Sequence, residues 1–468
     1  MLLVPSACGS SGASSSSANS GAGGSSGAST SGGASPSGGG VSNAGTSGSL
    51  GAAGTANSSG GTSGASGTAG ASGTSGGAAG AGGSAGGAGM AGAAGSGPNM
   101  PENDAWIGTW SVSPQSGGDS FTDKTLRQIV HTSISGTAAR IQLSNAFGSK
   151  QVVINDVHIA NRSTGSSIAP ASDHAVLFGG QTSVTIQPGA LALSDSVDFT
   201  VSALSDIAVS FHLADSTGAN TYHQQGTQTN YVASGDVSGN KDLSNPSTMG
   251  SYYVLSNLDV KNSNALGALV TLGASITDGV ASSGDQNRRW PNDLAVRLNM
   301  ASLVIAVLNQ GISGNTLLHD GAGQSAINRF QRDVLNQPDV AWVIFSDDPI
   351  NDLGATTNRP TGAQLITGMQ QLVTSAHQAH LKYLCSTLTP FEGSGGWSAD
   401  GETARGQINA FVRSATSGCD GVVDQDTATH DPANPTKYLP AYDAGDHLHP
   451  NDAGLQAIAN AVDLSLFK

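Results

Sequence analysis

The residues best suited to chemistry in this chain are a serine, a histidine and an aspartate that lie far apart in the sequence. Ser275 follows the apolar run Ala268–Leu272 closely, and His449 lies near the C-terminus with Asp446 shortly before it. A serine hydroxyl attacks an ester carbonyl when a histidine removes its proton, and a carboxylate beside the imidazole fixes the tautomer that accepts this proton. The three residues therefore predict a serine hydrolase that works through an acyl-enzyme. Taken alone, Ser275 and its neighbours would favour a helix cap over a nucleophile.

Two further residues could stabilise the oxyanion that such an attack creates. Gly311 follows a second apolar run, and a glycine lets backbone N–H groups approach a ligand closely. Asn351 follows a third run and could donate from its side-chain amide. With the N–H of Ser275, these groups would form an oxyanion hole. The plain alternatives are an ordinary glycine turn at Gly311 and an Asx turn at Asn351.

Metal chemistry is the rival interpretation of the C-terminal histidines. His447 and His449 stand close enough to share an ion, but the sequence offers no obvious third ligand, and two histidines alone are a weak zinc signal. We therefore predict neither a metal nor an organic cofactor. Other polar residues lie on loops that could face the same site, but we expect them to be solvated: His319, Glu392 and the pair Asp347–Asp348.

The elements that must position these residues alternate between strands and helices. After Leu266, stretches with helical spacing, such as Ala363–Lys382, separate short apolar runs. This alternation predicts a three-layer α/β/α sandwich with a mostly parallel five-stranded sheet, in which ligands bind at the carboxyl ends of the strands. The runs are Ala268–Leu272, Leu303–Leu308, Val340–Phe345, Tyr383–Leu388 and Gly421–Val423.

A different periodicity marks residues 102–262. Apolar residues there alternate with polar ones, as at Ile207, Val209, Phe211 and Leu213, and turn-forming residues separate the runs. Many short half-buried strands predict an all-β sandwich or jelly roll. We accordingly divide the folded chain into this β domain and a hydrolase domain at 263–468.

The first hundred residues have a composition unlike the rest. Residues 9–101 consist mainly of Gly, Ser, Ala and Thr and predict a disordered linker, since they cannot bury enough apolar surface to fold. Residues 1–8 resemble the truncated end of a bacterial lipoprotein signal, with lipidation at Cys8, although Pro5 and the missing basic segment depart from that pattern. We therefore expect a secreted or cell-surface protein with a lipid anchor at Cys8 and no membrane span.

Charge and cysteine content limit the partners and the redox chemistry. The net charge of −15 argues against nucleic acid as a partner, because nothing would neutralise phosphates over a wide face. Cys385 and Cys419 could pair in an oxidising compartment, but Cys385 lies in an apolar run, so we expect a buried free thiol.

The C-terminal half resembles the SGNH (GDSL-like) hydrolase superfamily, whose four name-giving residues would here be Ser275, Gly311, Asn351 and His449. The resemblance implies a flavodoxin-like α/β fold and a serine ester hydrolase. It extends to a bacterial secreted branch with an N-terminal β domain and covers nearly everything after Ala105. The stretches that carry this wider likeness are Phe121–Val130, Leu143–Gly148, Asn287–Pro291, Thr389–Gly393 and Gly445–Gly454.

Two positions depart from the pattern of that family. Ala274 stands where the family usually has Asp before the nucleophile, and Pro349 stands where a glycine usually precedes the Asn351 position. The segment Ser346–Asp352 also looks one residue longer than the corresponding segment of the family and is unusually acidic. These departures predict a looser Ser275, a displaced Asn351 and a slow enzyme.

The resemblance implies acetyl or other short acyl esters, carried on polysaccharides, as substrates. Lipid esters are the runner-up, but a lipase would need a broad apolar entrance, and aromatic residues make up only 5% of the chain. The alternative from another class is a catalytically impaired surface protein that binds glycans.

Overall fold

The computed structural model of the protein describes residues 106–468. The predicted signal at 1–8 and the predicted linker at 9–101 lie outside the described residues, as do residues 102–105. Within the described range, no helix has both the length and the hydropathy that a membrane crossing requires.

The regular secondary structure of residues 106–261 consists of β-strands and one short 3₁₀ helix at Pro170–Ser172. The strands are β1 Trp106–Ser111, β2 Gln115–Gly117, β3 Lys124–His131, β4 Ala139–Ser144, β5 Val152–Thr164, β6 Ser167–Ile168, β7 His174–Val176, β8 Ser183–Ile186, β9 Leu191–Leu193, β10 Asp206–Leu213, β11 Asn220–His223, β12 Asn230–Ser234, β13 Ser247–Met249, β14 Tyr252–Tyr253 and β15 Leu255–Lys261.

These strands form three antiparallel sheets. One has the order β1-β15-β4-β9, a larger one has the order β13-β12-β3-β10-β5-β6 with β7 and β8 also paired to β5, and the smallest is β14-β11-β2. Side chains of the first two sheets, such as Ile141 and Phe211, share one buried core. The predicted all-β region is confirmed.

Strand β10 is more buried than its alternation predicts. Ile207 and Phe211 face the main core, while Ala208, on the opposite face, packs with Ile129 and Tyr231 in a second apolar cluster. The outer face of this sheet is therefore covered as well. Residues of β10 that are buried on that face need not be polar, because they do not contact water.

Residues 267–468 form a sheet of five parallel strands in the order β17-β16-β18-β19-β20, which confirms the predicted flavodoxin-like α/β fold. Helix α2 packs on α8, and α5 packs on α6. The elements are β16 Gly267–Gly273, α1 Ser275–Asp278, α2 Trp290–Met300, β17 Ile305–Gly311, α3 Ala326–Phe330, a π-helical turn Gln331–Leu335, β18 Val340–Phe345, α4 Asp348–Leu353, α5 Gly362–Gln378, β19 Lys382–Ser386, α6 Ala399–Val412, β20 Gly421–Val423, α7 Gln425–Thr429, a hairpin of β21 His430–Asp431 and β22 Asn434–Tyr438, α8 Asp452–Ala461 and a 3₁₀ helix Leu464–Phe467.

The β region packs directly against the edge of the parallel sheet. Strand β1 lies beside β17, where a Cβ at Gly108 would come within 2.9 Å of the Leu308 side chain. The amide of Gln310 also donates to the Ser111 hydroxyl across the boundary, at 2.8 Å. One compact unit therefore contains both regions.

The expected free thiol at Cys385 is wrong, because Cys385 and Cys419 form a disulfide. Cys385 is fully buried in β19, as its apolar neighbours indicate. The neighbouring strand β20 runs parallel to β19, however, and the segment that enters it brings the Cys419 Cα to 5.8 Å from that of Cys385. This approach depends on strand pairing that neither local sequence reveals.

Candidate active site

The nucleophile candidate lies at the carboxyl end of the central strand. Strand β16 ends at Gly273, and Ser275 begins the four-residue helix α1 directly afterwards. This is the edge of an open α/β sheet at which ligands bind. The loop before α8 carries His449 to the same edge.

The structure brings Ser275, His449 and Asp446 into one hydrogen-bonded line. The Ser275 Oγ lies 2.8 Å from His449 Nε2, and His449 Nδ1 lies 2.7 Å from Asp446 Oδ2. Since a carboxylate only accepts, Nδ1 carries the proton and Nε2 is left to accept from the serine. The arrangement is that of a hydroxyl beside a base whose tautomer is fixed.

Asp446 is held as a carboxylate by its surroundings. Partial burial alone would raise the pKa of its carboxyl, but hydrogen bonds from His449 and from the backbone N–H groups of His449 and Leu448 hold that pKa below its usual value. The two N–H groups donate to Oδ1 at 2.9 and 3.0 Å. Both oxygens are thus engaged within the same loop, which fixes the orientation of the acid.

The Gly311 N–H is not available as the predicted oxyanion donor, because it already donates to Asn309 Oδ1 at 2.9 Å. Gly311 instead allows close packing: a Cβ there would lie 2.3 Å from the backbone nitrogen of Asp278. In the same turn, the Gly314 N–H has no acceptor within residues 106–468, and Gly314 has a φ of +78°. The Ser275 N–H likewise has no acceptor among the residues the structure describes.

Asn351 lies on α4 and contacts the segment after β17 despite the proline before it. Pro349 occupies the first turn of α4, where its missing N–H has no helical partner to lose, so the helix forms around it. The Asn351 amide donates one N–H to the Asn315 carbonyl at 2.7 Å and has a second N–H left. The side chain is therefore anchored beside the turn that contains Gly314.

The expectation that Asp347 and Asp348 are solvated is wrong, since their exposed fractions are 2% and 0%. Asp347 accepts hydrogen bonds from the turn that carries Ser275. Burial raises the pKa of Asp348 to about 7, against the opposing effect of Arg329. The unusual acidity of the segment after β18 was the feature of the sequence that pointed to these two residues. The sequence alone does not show that their side chains are directed inward.

The other loop residues named from the sequence have the following surroundings. His319 is exposed, and Glu392 pairs with Lys437 at 3.5 Å. His447 bonds Asp443, with Nδ1 2.5 Å from Oδ2. No group of three or more His, Cys, Asp and Glu side chains arranged to hold a metal ion occurs among residues 106–468.

The β region also reaches helix α1, which the sequence did not indicate. His223 of β11 places Nε2 3.0 Å from Asp278 Oδ1 at the end of α1. The other oxygen of Asp278 accepts from the N–H and hydroxyl of Ser313. The helix that begins with Ser275 is thereby tied to both the β region and the turn after β17.

Comparisons with known proteins assign the C-terminal region. Residues 271–457 match the GDSL-like Lipase/Acylhydrolase family. No match was found among curated proteins.

Several solved structures are similar to the same region. They include an α/β hydrolase, LAE5, from the metagenome of Lake Arreo, Spain (26% identity, 43% of this chain and 95% of that chain, TM-score 0.33). Another is a GDSL-like lipase from Bacteroides thetaiotaomicron VPI-5482 (16%, 43% and 88%, TM-score 0.32). A third is a mutant of Axe2, an acetylxylan esterase from Geobacillus stearothermophilus (22%, 42% and 92%, TM-score 0.33). By the family match, the chain carries a GDSL-like lipase/acylhydrolase domain and is a carboxylic ester hydrolase.

Proposed function

We propose that Ser275 is the nucleophile, His449 the general base and Asp446 the residue that orients the base. The observation that carries this assignment is the continuous line of hydrogen bonds, at 2.8 and 2.7 Å, from the serine through the imidazole to the carboxylate. The Ser275 oxygen forms a bond to the ester carbonyl carbon while its proton passes to Nε2. The proton then goes to the leaving alcohol as the C–O bond breaks, and water hydrolyses the resulting acyl-enzyme by the same route.

Three donors are proposed for the oxyanion. They are the N–H of Ser275, the free N–H of Asn351 and the N–H of Gly314, which replaces Gly311 in this role. The N–H of Gly314 has no acceptor within the described chain, whereas that of Gly311 is engaged. A donor must be unpaired in the resting enzyme to bind developing charge without breaking another bond.

The substrates we propose are acetyl or other short acyl esters, with a polysaccharide as the alcohol. Among the described residues, large exposed apolar side chains are few, and only Trp397 follows a strand at the carboxyl edge of the sheet. A long acyl chain would need a wider apolar surface there to leave water. The small number of exposed apolar side chains suits a short acyl group on a hydroxyl-rich alcohol better.

The test is hydrolysis of p-nitrophenyl acetate, butyrate and decanoate by the full chain and its variants. Ser275→Ala should lower kcat by roughly a millionfold, and Asp446→Asn should lower it by about 10⁴-fold, with the fold retained. Ser414→Ala, at the far end of α6, is the matched control and should behave as wild type. Turnover that survives Ser275→Ala would refute the assignment, and preference for decanoate would refute the short-acyl proposal.

A further inference from the structure

Asp347 reaches from the end of one strand to the turn at the end of its neighbour. It lies just after β18, and its carboxylate contacts the residues on either side of the nucleophile. Oδ1 accepts from the Ala274 N–H at 3.0 Å and from the Thr277 hydroxyl at 2.6 Å, while Oδ2 accepts from the Ile276 N–H at 2.7 Å. This one buried side chain thus accounts for three donors of the turn.

The turn contains no acceptor of its own for these donors. Ala274 occupies the N-cap position of α1, where a Ser, Thr, Asn or Asp side chain would normally accept from the first N–H groups, and alanine makes no such bond. Buried N–H groups without acceptors destabilise the folded state. The carboxylate of Asp347 supplies the missing acceptor from outside the helix.

The pattern of these bonds is selective. The carboxylate takes the N–H groups of Ala274 and Ile276 and leaves the N–H of Ser275, between them, unpaired. Gly273 makes the approach possible, because a Cβ there would lie 2.5 Å from Asp347 Oδ1. The orientation of the Ser275 peptide is therefore set by bonds to its two neighbours.

We propose that Asp347 is the positioning residue of the nucleophile turn, and this rests on the function proposed above. It holds the Ser275 hydroxyl towards His449 and keeps the Ser275 N–H directed at the oxyanion. It thereby replaces the aspartate that the SGNH pattern would place at Ala274. The unusually acidic segment after β18 is a functional part of the site.

Asp347→Asn is the main test, since the amide keeps the size but can accept at only one of the two oxygen positions. The remaining NH₂ group would face the Ile276 N–H, so the turn should shift. Displacement of reacting groups by about 1 Å costs on the order of 100-fold in rate, so kcat should fall about 100-fold with KM little changed. The rate at which a small fluorophosphonate labels Ser275, followed by mass spectrometry, should fall in parallel.

Asp259→Asn is the matched control, because Asp259 is equally buried but pairs with Arg140 inside the β region. Its thermal midpoint should fall while kcat and the labelling rate stay at the wild-type level. If Asp347→Asn fails to fold, Thr277→Val removes one donor of the same carboxylate and should lower both rates to a smaller extent. If Asp347→Asn folds and its kcat and labelling rate match those of the control, the inference is overturned. If Asp347→Asn does not fold, unchanged rates in Thr277→Val overturn it.

The two proposals fail in distinguishable ways. If wild-type protein is not labelled at Ser275 and Ser275→Ala remains active, the proposed nucleophile is wrong. If Ser275 is labelled and essential but Asp347→Asn is fully active, only the role of Asp347 is wrong.

Discussion

Replacing His223 by alanine tests whether the β region stabilises the nucleophile helix through a buried ion pair. The Nδ1 of His223 lies 2.9 Å from the Ser113 carbonyl oxygen, and its Nε2 lies 3.0 Å from Asp278 Oδ1 and 3.2 Å from the Gln225 carbonyl oxygen. All three partners are acceptors, and the imidazole satisfies them all only when both ring nitrogens carry a proton, the form in which it pairs with Asp278 as a cation. The side chains of His223 and Asp278 have exposed fractions of 4% and 3%.

The expected cost follows from that burial. Without His223, the Asp278 carboxylate stays buried and retains only the bonds from Ser313. Removal of one partner from a buried ion pair destabilises a protein by about 3–5 kcal/mol, because the other charge is left uncompensated. The pair His377–Asp420 offers a control, since its histidine is 42% exposed. His377→Ala should cost about 0–1 kcal/mol.

The assay is urea unfolding of both variants, followed by tryptophan fluorescence, with Asp278→Asn and the His223→Ala/Asp278→Asn double variant added to complete a double-mutant cycle. Asp278→Asn should recover part of the loss in the His223→Ala background, since an amide is less costly to bury than a carboxylate. If His223→Ala costs no more than His377→Ala, or if the cycle shows no coupling, the ion pair does not join the two regions energetically.

Two further predictions concern stability. Cys419→Ser should lower the free energy of unfolding by about 4 kcal/mol, because the disulfide to Cys385 closes a separation of 34 residues; an unfolding midpoint that does not differ from that of oxidised wild type would contradict this. Asp348 has a pKa raised by burial from 3.8 to about 7, so the folded state holds a proton that the unfolded chain has lost. Stability should therefore fall as the pH rises from about 4 to about 7, and Asp348→Asn should flatten this dependence in urea titrations. An equal pH slope in both proteins would show that Asp348 does not titrate in this range.

The parallel sheet could be predicted because its strands are buried on both faces. The five apolar runs coincide with β16 to β20, apart from one to three residues at an end. The long helix α5 begins near the predicted residue, where Thr361 and Gln364 form a capping box, but it ends at Gln378. His380, with a φ of +61°, terminates it before β19, and no proline or glycine announces that turn.

The placement of Ser275 and His449 at one edge of the sheet also followed from the sequence, since each stands beside a strand end or before a helix. The sequence predicted Gly311 as a donor, and it did not indicate the Gly314 N–H that we propose in its place. Gly311 and Gly314 lie in the same turn, and only the hydrogen bond from the Gly311 N–H to Asn309 distinguishes the engaged N–H from the free one. Such a difference depends on side-chain contacts, which spacing alone does not encode.

The alanine before the nucleophile need not weaken the site, because the turn is held from three sides by residues outside it. Asp347 binds its N–H groups, and Arg329, itself fully buried, donates to the Gly273 carbonyl at 2.8 Å. Asp278 fixes the far end of the helix through His223 of the β region. A turn restrained by neighbouring elements can lose a local stabilising side chain without losing its geometry, since each restraint acts on a different group of the turn. Through His223 the β region restrains helix α1, so substitutions at the boundary between the β region and the parallel-sheet region should alter turnover as well as stability.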